Sequence, residues 1–261
     1  SDVVIVVLGE DASMSGEAAS RMEIGLPGRQ EELLRELHRT EKPVVLLLVN
    51  GRPLAIPWAE EHVSAIVEAW QLGVQGGNAV ADVLFGDYNP SGKLVVTFPR
   101  STGQIPLYYN HPNTGRPAGS IKFTSKYIDG PAEPLYPFGF GLSYTTFQYG
   151  NLTVTPQAIH AQWEVNVEIE VTNAGDWEGE EVVQLYVADP VASRVRPVKE
   201  LKGFRKVALA PGETRKIRFR LPIAELGFND EHLNPVVEPG EFRVFVGTNS
   251  RDGIEATFAV T

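Results

Sequence analysis

Two unbroken aliphatic runs, Val3-Val4-Ile5-Val6-Val7-Leu8 and Val44-Val45-Leu46-Leu47-Leu48-Val49, limit what this chain can fold into. A strand with one wet face alternates apolar and polar residues, whereas a continuous apolar run suits a strand covered on both faces, as in a parallel sheet. Between the runs, Pro27 opens a segment over residues 28–40 in which Leu33, Leu34 and Leu37 recur at helical spacing among Glu and Arg. That spacing predicts an amphipathic helix. Asn50-Gly51 and Pro53 stop the second run, and Ala65-Ile66-Val67-Glu68-Ala69-Trp70 reads as a third strand. Gly73, Gly76 and Gly77 follow as a tight strand-to-helix turn, then a helix through Ala79, Val80, Val83 and Leu84. Strands and helices joined by short loops predict a parallel α/β sheet.

The period changes downstream. Residues 99–149 are rich in Pro, Gly, Asn, Tyr and Thr with little apolar periodicity, the mark of a functional or domain-bridging segment. After Asn151, Trp163, Val165, Val167, Ile169 and Val171 alternate with polar residues, and residues 182–187, 215–221 and 242–246 continue as strands. Pro211-Gly212 and Pro239-Gly240 mark turns between them. Short strands and turns over such a length predict an immunoglobulin-like or fibronectin-type sandwich. The expected fold class is α/β plus all-β: an α/β sandwich domain over residues 1–105, an irregular bridge over 106–149 and a β-sandwich over 150–261.

Charge and residue usage narrow the function. A formal net charge of -10 repels phosphate backbones and anionic lipid, which argues against nucleic acid and membrane surfaces as partners and favours a neutral ligand. The absence of Cys removes disulfides, thiolate metal sites and Cys nucleophiles. His38, His62, His111, His160 and His232 are scattered without metal spacing, so neither a metal nor a cofactor is expected. Gly92-Lys93 is followed by Leu94 where a phosphate-binding loop needs Ser or Thr, and Ser143 lacks the closing Gly of a nucleophile elbow. No apolar run approaches the ~20 residues that span a bilayer, and no signal-peptide pattern opens the chain. An opening on a core strand instead suggests a fragment or processed product.

The chemistry-bearing candidate is the loop after the first strand, Gly9-Glu10-Asp11-Ala12-Ser13-Met14-Ser15-Gly16-Glu17-Ala18-Ala19-Ser20-Arg21. Open α/β sheets place functional groups beyond the C-terminal ends of their strands. Glycosidic cleavage needs a carboxylic acid to protonate the leaving oxygen and usually a second carboxylate as nucleophile or base. Glu17 sits among small residues able to project it, and Arg21 could orient or charge-balance it. The plain alternative is that Glu10, Asp11, Glu17 and Glu23 are solvated loop charges. Arg52, at the end of the second strand, could bond a carboxylate within the fold or a sugar. Trp58 and Trp70 adjoin apolar residues and read as core.

These residues fall into blocks that resemble glycoside hydrolase family 3. Ser15-Gly16-Glu17-x-x-x-Arg21, Leu26-Pro27-Gly28-x-Gln30-x-x-Leu33 and Val49-Asn50-Gly51-Arg52-Pro53 are similar to its second domain. So are Gly73-x-x-Gly76-Gly77-x-Ala79-x-Ala81-Asp82-Val83-Leu84-Phe85-Gly86, Asn89-Pro90-Ser91-Gly92-Lys93-Leu94 and Thr97-Phe98-Pro99. Tyr136-Pro137-Phe138-Gly139-x-Gly141-Leu142-Ser143-Tyr144-Thr145-x-Phe147 and Pro197-x-Lys199-x-Leu201-Lys202-Gly203-Phe204 extend the likeness into the sandwich, which would be fibronectin type III-like. His111, Asn113, Thr114, Gly115 and Arg116 match a segment of bacterial β-glucosidases of the periplasmic type.

The resemblance implies a retaining, exo-acting β-glucosidase in which Glu17 is the general acid/base and an Asp nucleophile comes from an N-terminal TIM-barrel domain absent from this sequence. The chain alone would then be inactive, with Glu17 exposed. Implied partners are that barrel domain of the same protein and a β-linked glucoside or oligosaccharide substrate, with Arg21, His111 and Arg116 as candidate substrate contacts. A periplasmic or extracellular location is implied as well. The segment from His111 to Pro117 is open to two readings, a substrate-facing flap or an interdomain strap. The rival reading of the chain is a non-catalytic module that binds carbohydrate or another subunit.

Overall fold

The computed structural model describes all residues, Ser1–Thr261. The chain divides into two units. The first comprises Ser1–Tyr88, Val96–Leu107 and Glu133–Tyr136, and the second Asn89–Val95, Tyr108–Ala132 and Pro137–Thr261.

In the first unit, β1 (Val4–Gly9), β2 (Val44–Val49) and β3 (Ala65–Glu68) form a parallel sheet in that order, in register from Val4↔Val44 and Val45↔Ala65. The helix α1 (Gln30–His38) links β1 to β2 and buries Leu34, while Leu33, expected on its inner face, is exposed. Glu31–Arg35 and Glu32–Arg29 pairs occupy its wet face. A helix the pattern did not reveal, α2 (Pro57–His62), links β2 to β3. Pro57 fits its first turn because no backbone N–H is needed there, and Ala59 packs inward. The last helix, α3 (Gly76–Phe85), closes on Gly86 in the left-handed region (φ 85°), where glycine carries no Cβ penalty.

One expectation for β1 fails. Val6 and Leu8 are buried, but Val3, Ile5 and Val7, at 48%, 49% and 59% exposure, lie open. The strand is therefore covered on one face only, because nothing within this unit packs over the face that Ile5 and Val7 present. The third strand ends at Glu68, two residues early, where Trp70 turns to φ 50° and its N–H donates to the Glu68 carboxylate (2.9 Å). Nor are the two tryptophans core residues: both are half-buried. Trp58 stacks on His62 (4.5 Å between centroids) beneath the Arg35 guanidinium (4.4 Å), and Trp70 meets the edge of buried Phe98 (5.9 Å).

In the second unit, β4 (Phe147–Thr155), β6 (Glu164–Asn173) and β9 (Thr214–Pro222) form one antiparallel sheet, ordered β4-β6-β9. The other sheet is ordered β5-β13-β12-β7-β8, from β5 (Ala158–Ile159), β7 (Gly179–Ala188), β8 (Glu200–Leu209), β12 (Gly240–Gly247) and β13 (Gly253–Val260). A small hairpin, β10 (Phe228–Asn229) with β11 (Pro235–Val236), stands apart. Val165, Val167 and Ile169 pair across the ladder with Leu221, Phe219 and Ile217, and all six are buried. They pack with Val183, Leu185, Val187, Val244 and Val246 of the facing sheet into one core. Trp163, predicted to begin that inward stripe, precedes β6 and is exposed.

β7 carries apolar residues on both faces towards its C-terminal end because its second face is also covered. Tyr186 is fully buried there, edge-on to Tyr109 (5.6 Å), which stacks on Phe138 (4.4 Å). Lys93 enters the same unit and donates to Gly141 O (2.8 Å), Glu181 Oε2 (3.2 Å) and Thr248 Oγ1 (3.1 Å). Tyr149 and Thr248 donate to the other oxygen of Glu181, so the buried carboxylate is saturated.

Candidate active site

A parallel sheet brings the C-terminal ends of all its strands to one rim. On this rim β1 leads into residues 10–21, β2 into Asn50-Gly51-Arg52 and β3 ends on Glu68. Gly9 occupies the left-handed region (φ 139°), and a Cβ there would sit 2.0 Å from Val49 O, so only glycine allows β1 to end so close to β2. The Gln30 side chain closes the turn by accepting from Gly9 N (2.8 Å) and donating to Gly9 O (2.9 Å).

Glu10 does not behave as a solvated loop charge. Its side chain is fully buried, and Oε1 meets Arg21 Nη1 at 2.7 Å and Arg52 Nε at 2.9 Å. Oε2 accepts from Gly51 N (3.3 Å). Two cations and a backbone donor offset the cost of burying one carboxylate. Arg52 then reaches on, donating through Nη2 to Met14 O and to Ala19 O (2.8 Å). Arg21 completes the arrangement by donating to Gly25 O (3.0 Å). Of the two partners foreseen for Arg52, the structure provides the carboxylate within the fold.

Glu17 lies between the two carbonyls that Arg52 holds. It is exposed and makes no hydrogen bond or ion pair. Its neighbours Gly16 (φ 114°) and Ala18 (φ 60°) are both in the left-handed region, which a non-glycine residue such as Ala18 adopts only when its surroundings impose it. The remaining acids of the loop have lesser settings. Asp11 is exposed, and hydrogen bonds from the Ser13 side chain and backbone hold its carboxyl below the usual range. Glu23 accepts from Thr102 (3.4 Å).

Glu68 was not foreseen as a site residue. Burial pushes its carboxyl up to about 7, opposed by hydrogen bonds from Trp70 N and Asn50 Nδ2 (3.3 Å). Asn50 is buried and its Nδ2 also donates to Arg52 O (2.8 Å), while its Oδ1 has no partner. The available signal was a single acid inside the apolar run Ala65-Ile66-Val67-Glu68-Ala69-Trp70, which reads equally well as a strand end.

The four expected site residues divide between the units. Glu17 and Arg21 belong to the first, but Arg21 faces Glu10 rather than Glu17. His111 and Arg116 belong to the second and are exposed. His111 O accepts from Val198 N (3.0 Å), next to a bridge between Pro112 and Pro197, which ties this stretch to the sandwich. The turn beyond it is closed by Asn113 Oδ1 accepting from Gly115 N (3.0 Å) and Thr114 Oγ1 from Arg116 N (3.3 Å).

An α/β unit with its polar cluster at the strand ends, followed by a β-sandwich, defines the class, and residues 181–250 match the fibronectin type III-like domain. Residues 1–144 match the glycosyl hydrolase family 3 C-terminal domain, and the chain belongs to that family. A periplasmic β-glucosidase of Salmonella typhimurium is 49% identical over 96% of this chain, which covers 33% of that protein. A β-xylosidase of Formosa agariphila is 44% identical over 100% of this chain and 36% of its own length. The crystal structure of a β-glucosidase from Listeria innocua in complex with glucose superposes with a TM-score of 0.95 at 43% identity, over 99% of this chain and 36% of that one. The chain thus spans about a third of the length of the curated relatives it matches.

Proposed function

We propose that this chain is the C-terminal part of a retaining, exo-acting β-glucosidase and supplies the general acid/base, Glu17. The observation that carries the reading is the setting of Glu17: an unpaired, exposed carboxyl on the functional rim of a parallel sheet, bracketed by two left-handed residues and by two carbonyls held by one arginine. A site that must first protonate a leaving oxygen and then deprotonate water needs a carboxyl free of competing cations. The nucleophile, an Asp in the family resemblance, belongs to a TIM-barrel domain outside this chain. Retention would require the two carboxyl groups to approach to about 5–5.5 Å. Arg21 serves the loop through Glu10, while His111 and Arg116 are candidates for substrate contact. The periplasmic relative favours a location outside the cytoplasm.

In the whole protein, Glu17→Gln should slow hydrolysis of β-glucosides with poor leaving groups by about 10²–10⁴-fold. Aryl glucosides with activated leaving groups should lose far less in kcat/KM, with azide restoring their turnover. Equal losses for both substrate types would sink the assignment. This chain by itself should hydrolyse neither, having one of the two carboxylates the reaction requires, and turnover above background would show the division of labour to be wrong.

A further inference from the structure

We infer that Arg52 is a positioning residue for the Glu17 carboxyl, an assignment that rests on the acid/base reading of Glu17. The loop over residues 10–21 has little structure of its own: one short 3-10 turn, Ala12–Met14, and a long Gly16 O to Ala19 N contact of 3.3 Å. Left to itself, such a segment would not keep Ala18 at φ 60° or hold the Glu17 side chain to one place, because its other local bonds, from Ser13 and Met14 back to Asp11, all lie before Gly16. The hold comes from β2. The Arg52 guanidinium bonds Met14 O, three residues before Glu17, and Ala19 O, two residues after it. Its Nε is fixed in turn by buried Glu10, at the root of the loop, whose other cation, Arg21, stands at the far end.

The planar fork matters here. Nε points to the carboxylate while Nη2 shares its two hydrogens between the two carbonyls, so a single rigid group spans all three acceptors. A lysine ammonium is a point donor on a flexible stem and cannot reproduce that span. Gly51 adds a steric component, since a Cβ there would lie 1.9 Å from Ser15 Oγ: the loop rests directly on the β2 rim. Arg52 touches neither Glu17 nor anything the loop presents outward, so it acts through the backbone on either side of Glu17. Displacing a reacting group by an ångström costs on the order of 100-fold in rate.

The test is a double-mutant cycle in the whole protein with Arg52→Lys and Glu17→Gln, measuring kcat/KM and kcat on β-glucosides that span good and poor leaving groups. Arg52→Lys should lower kcat/KM on poor leaving groups by about 10- to 100-fold, with little change in kcat/KM on activated ones. Combined with Glu17→Gln it should add almost nothing, because a residue acting through Glu17 has nothing left to position. Losses from Arg52→Lys that are uniform across leaving groups, or that multiply with those of Glu17→Gln, would overturn the positioning role while leaving Glu17 as the acid. Uniform losses from Glu17→Gln alone would overturn the acid/base reading instead. If Arg52→Lys fails to fold, Glu10→Gln, which weakens the anchor that aims the Arg52 guanidinium at Met14 O and Ala19 O, carries the same comparison.

Discussion

Asn50 Nδ2 donates to the Glu68 carboxyl across 3.3 Å at the end of the parallel sheet, and no cation is paired with that carboxyl. Burial raises it to about 7, against an ordinary value of 4.5. The folded chain therefore keeps a proton that the unfolded chain releases, and stability falls as pH rises from about 4.5 through about 7. Glu68→Gln removes the titration while keeping an acceptor for Trp70 N. Urea melts of the wild-type chain should show this decline, on the order of 3 kcal/mol, and the variant should lack that component and be the more stable above pH 8. An unchanged pH profile in Glu68→Gln would mean that the carboxyl is ionised without penalty.

Gly51 and Ser15 make a steric pair. A Cβ at residue 51 would fall 1.9 Å from Ser15 Oγ and 2.7 Å from Ser15 Cβ. Rotating the hydroxyl away relieves the first clash but not the second, so Gly51→Ala should cost about 1–3 kcal/mol of stability or displace the loop. Ser15→Gly removes both obstructing atoms, and the double variant should recover most of the loss in a denaturant titration. Strictly additive effects would place the strain elsewhere.

How far the sequence could be read depended on the range of the interactions. The strands of the sandwich were legible because Val165, Val167 and Ile169 alternate with polar residues and one face is wet, which is local information. The two-sided burial assigned to β1 was not, because a run such as Val3 to Leu8 records what the strand can tolerate rather than what covers it, and here Ile5 and Val7 lie open. At the site, Glu17 was marked by its place after a strand and by the family likeness. Glu10 looked the same as its neighbours in composition. Its burial rests on Arg21 in the same loop and on Arg52, 42 residues away, and no local pattern encodes the second contact. Lys93 likewise belongs to a failed phosphate-loop motif and to one block of the family likeness, and neither points to its pairing with a carboxylate 88 residues downstream.

That pairing carries its own prediction. Lys93 and Glu181 are each at most a tenth exposed and 3.2 Å apart, so removing one partner strands a charge that Tyr149 and Thr248 can only partly satisfy. Lys93→Met should destabilise the unit by about 3–5 kcal/mol. The pair replacement with Glu181→Gln should recover part of that loss, since no buried charge remains. Thermal denaturation of the two variants side by side decides it: if the pair replacement is no better than Lys93→Met, lost packing and not the stranded carboxylate sets the cost.

The open face of β1 separates what stabilises this chain from what the whole protein requires. Leu8 is buried opposite Leu48, so Leu8→Ala should cost about 2–5 kcal/mol wherever it is measured. Ile5 and Val7 alternate with it and face outward. Ile5→Thr and Val7→Thr should therefore change the stability of this chain by no more than about 0.5 kcal/mol, and should reduce its self-association by breaking an apolar strip on an edge strand. In the whole protein, where a preceding domain is proposed, the same substitutions should cost several times more if that domain covers the strip. Matched denaturant titrations and sedimentation of the two forms would show it. Equal, small effects in both would mean that the strip stays in water and that the preceding domain docks elsewhere.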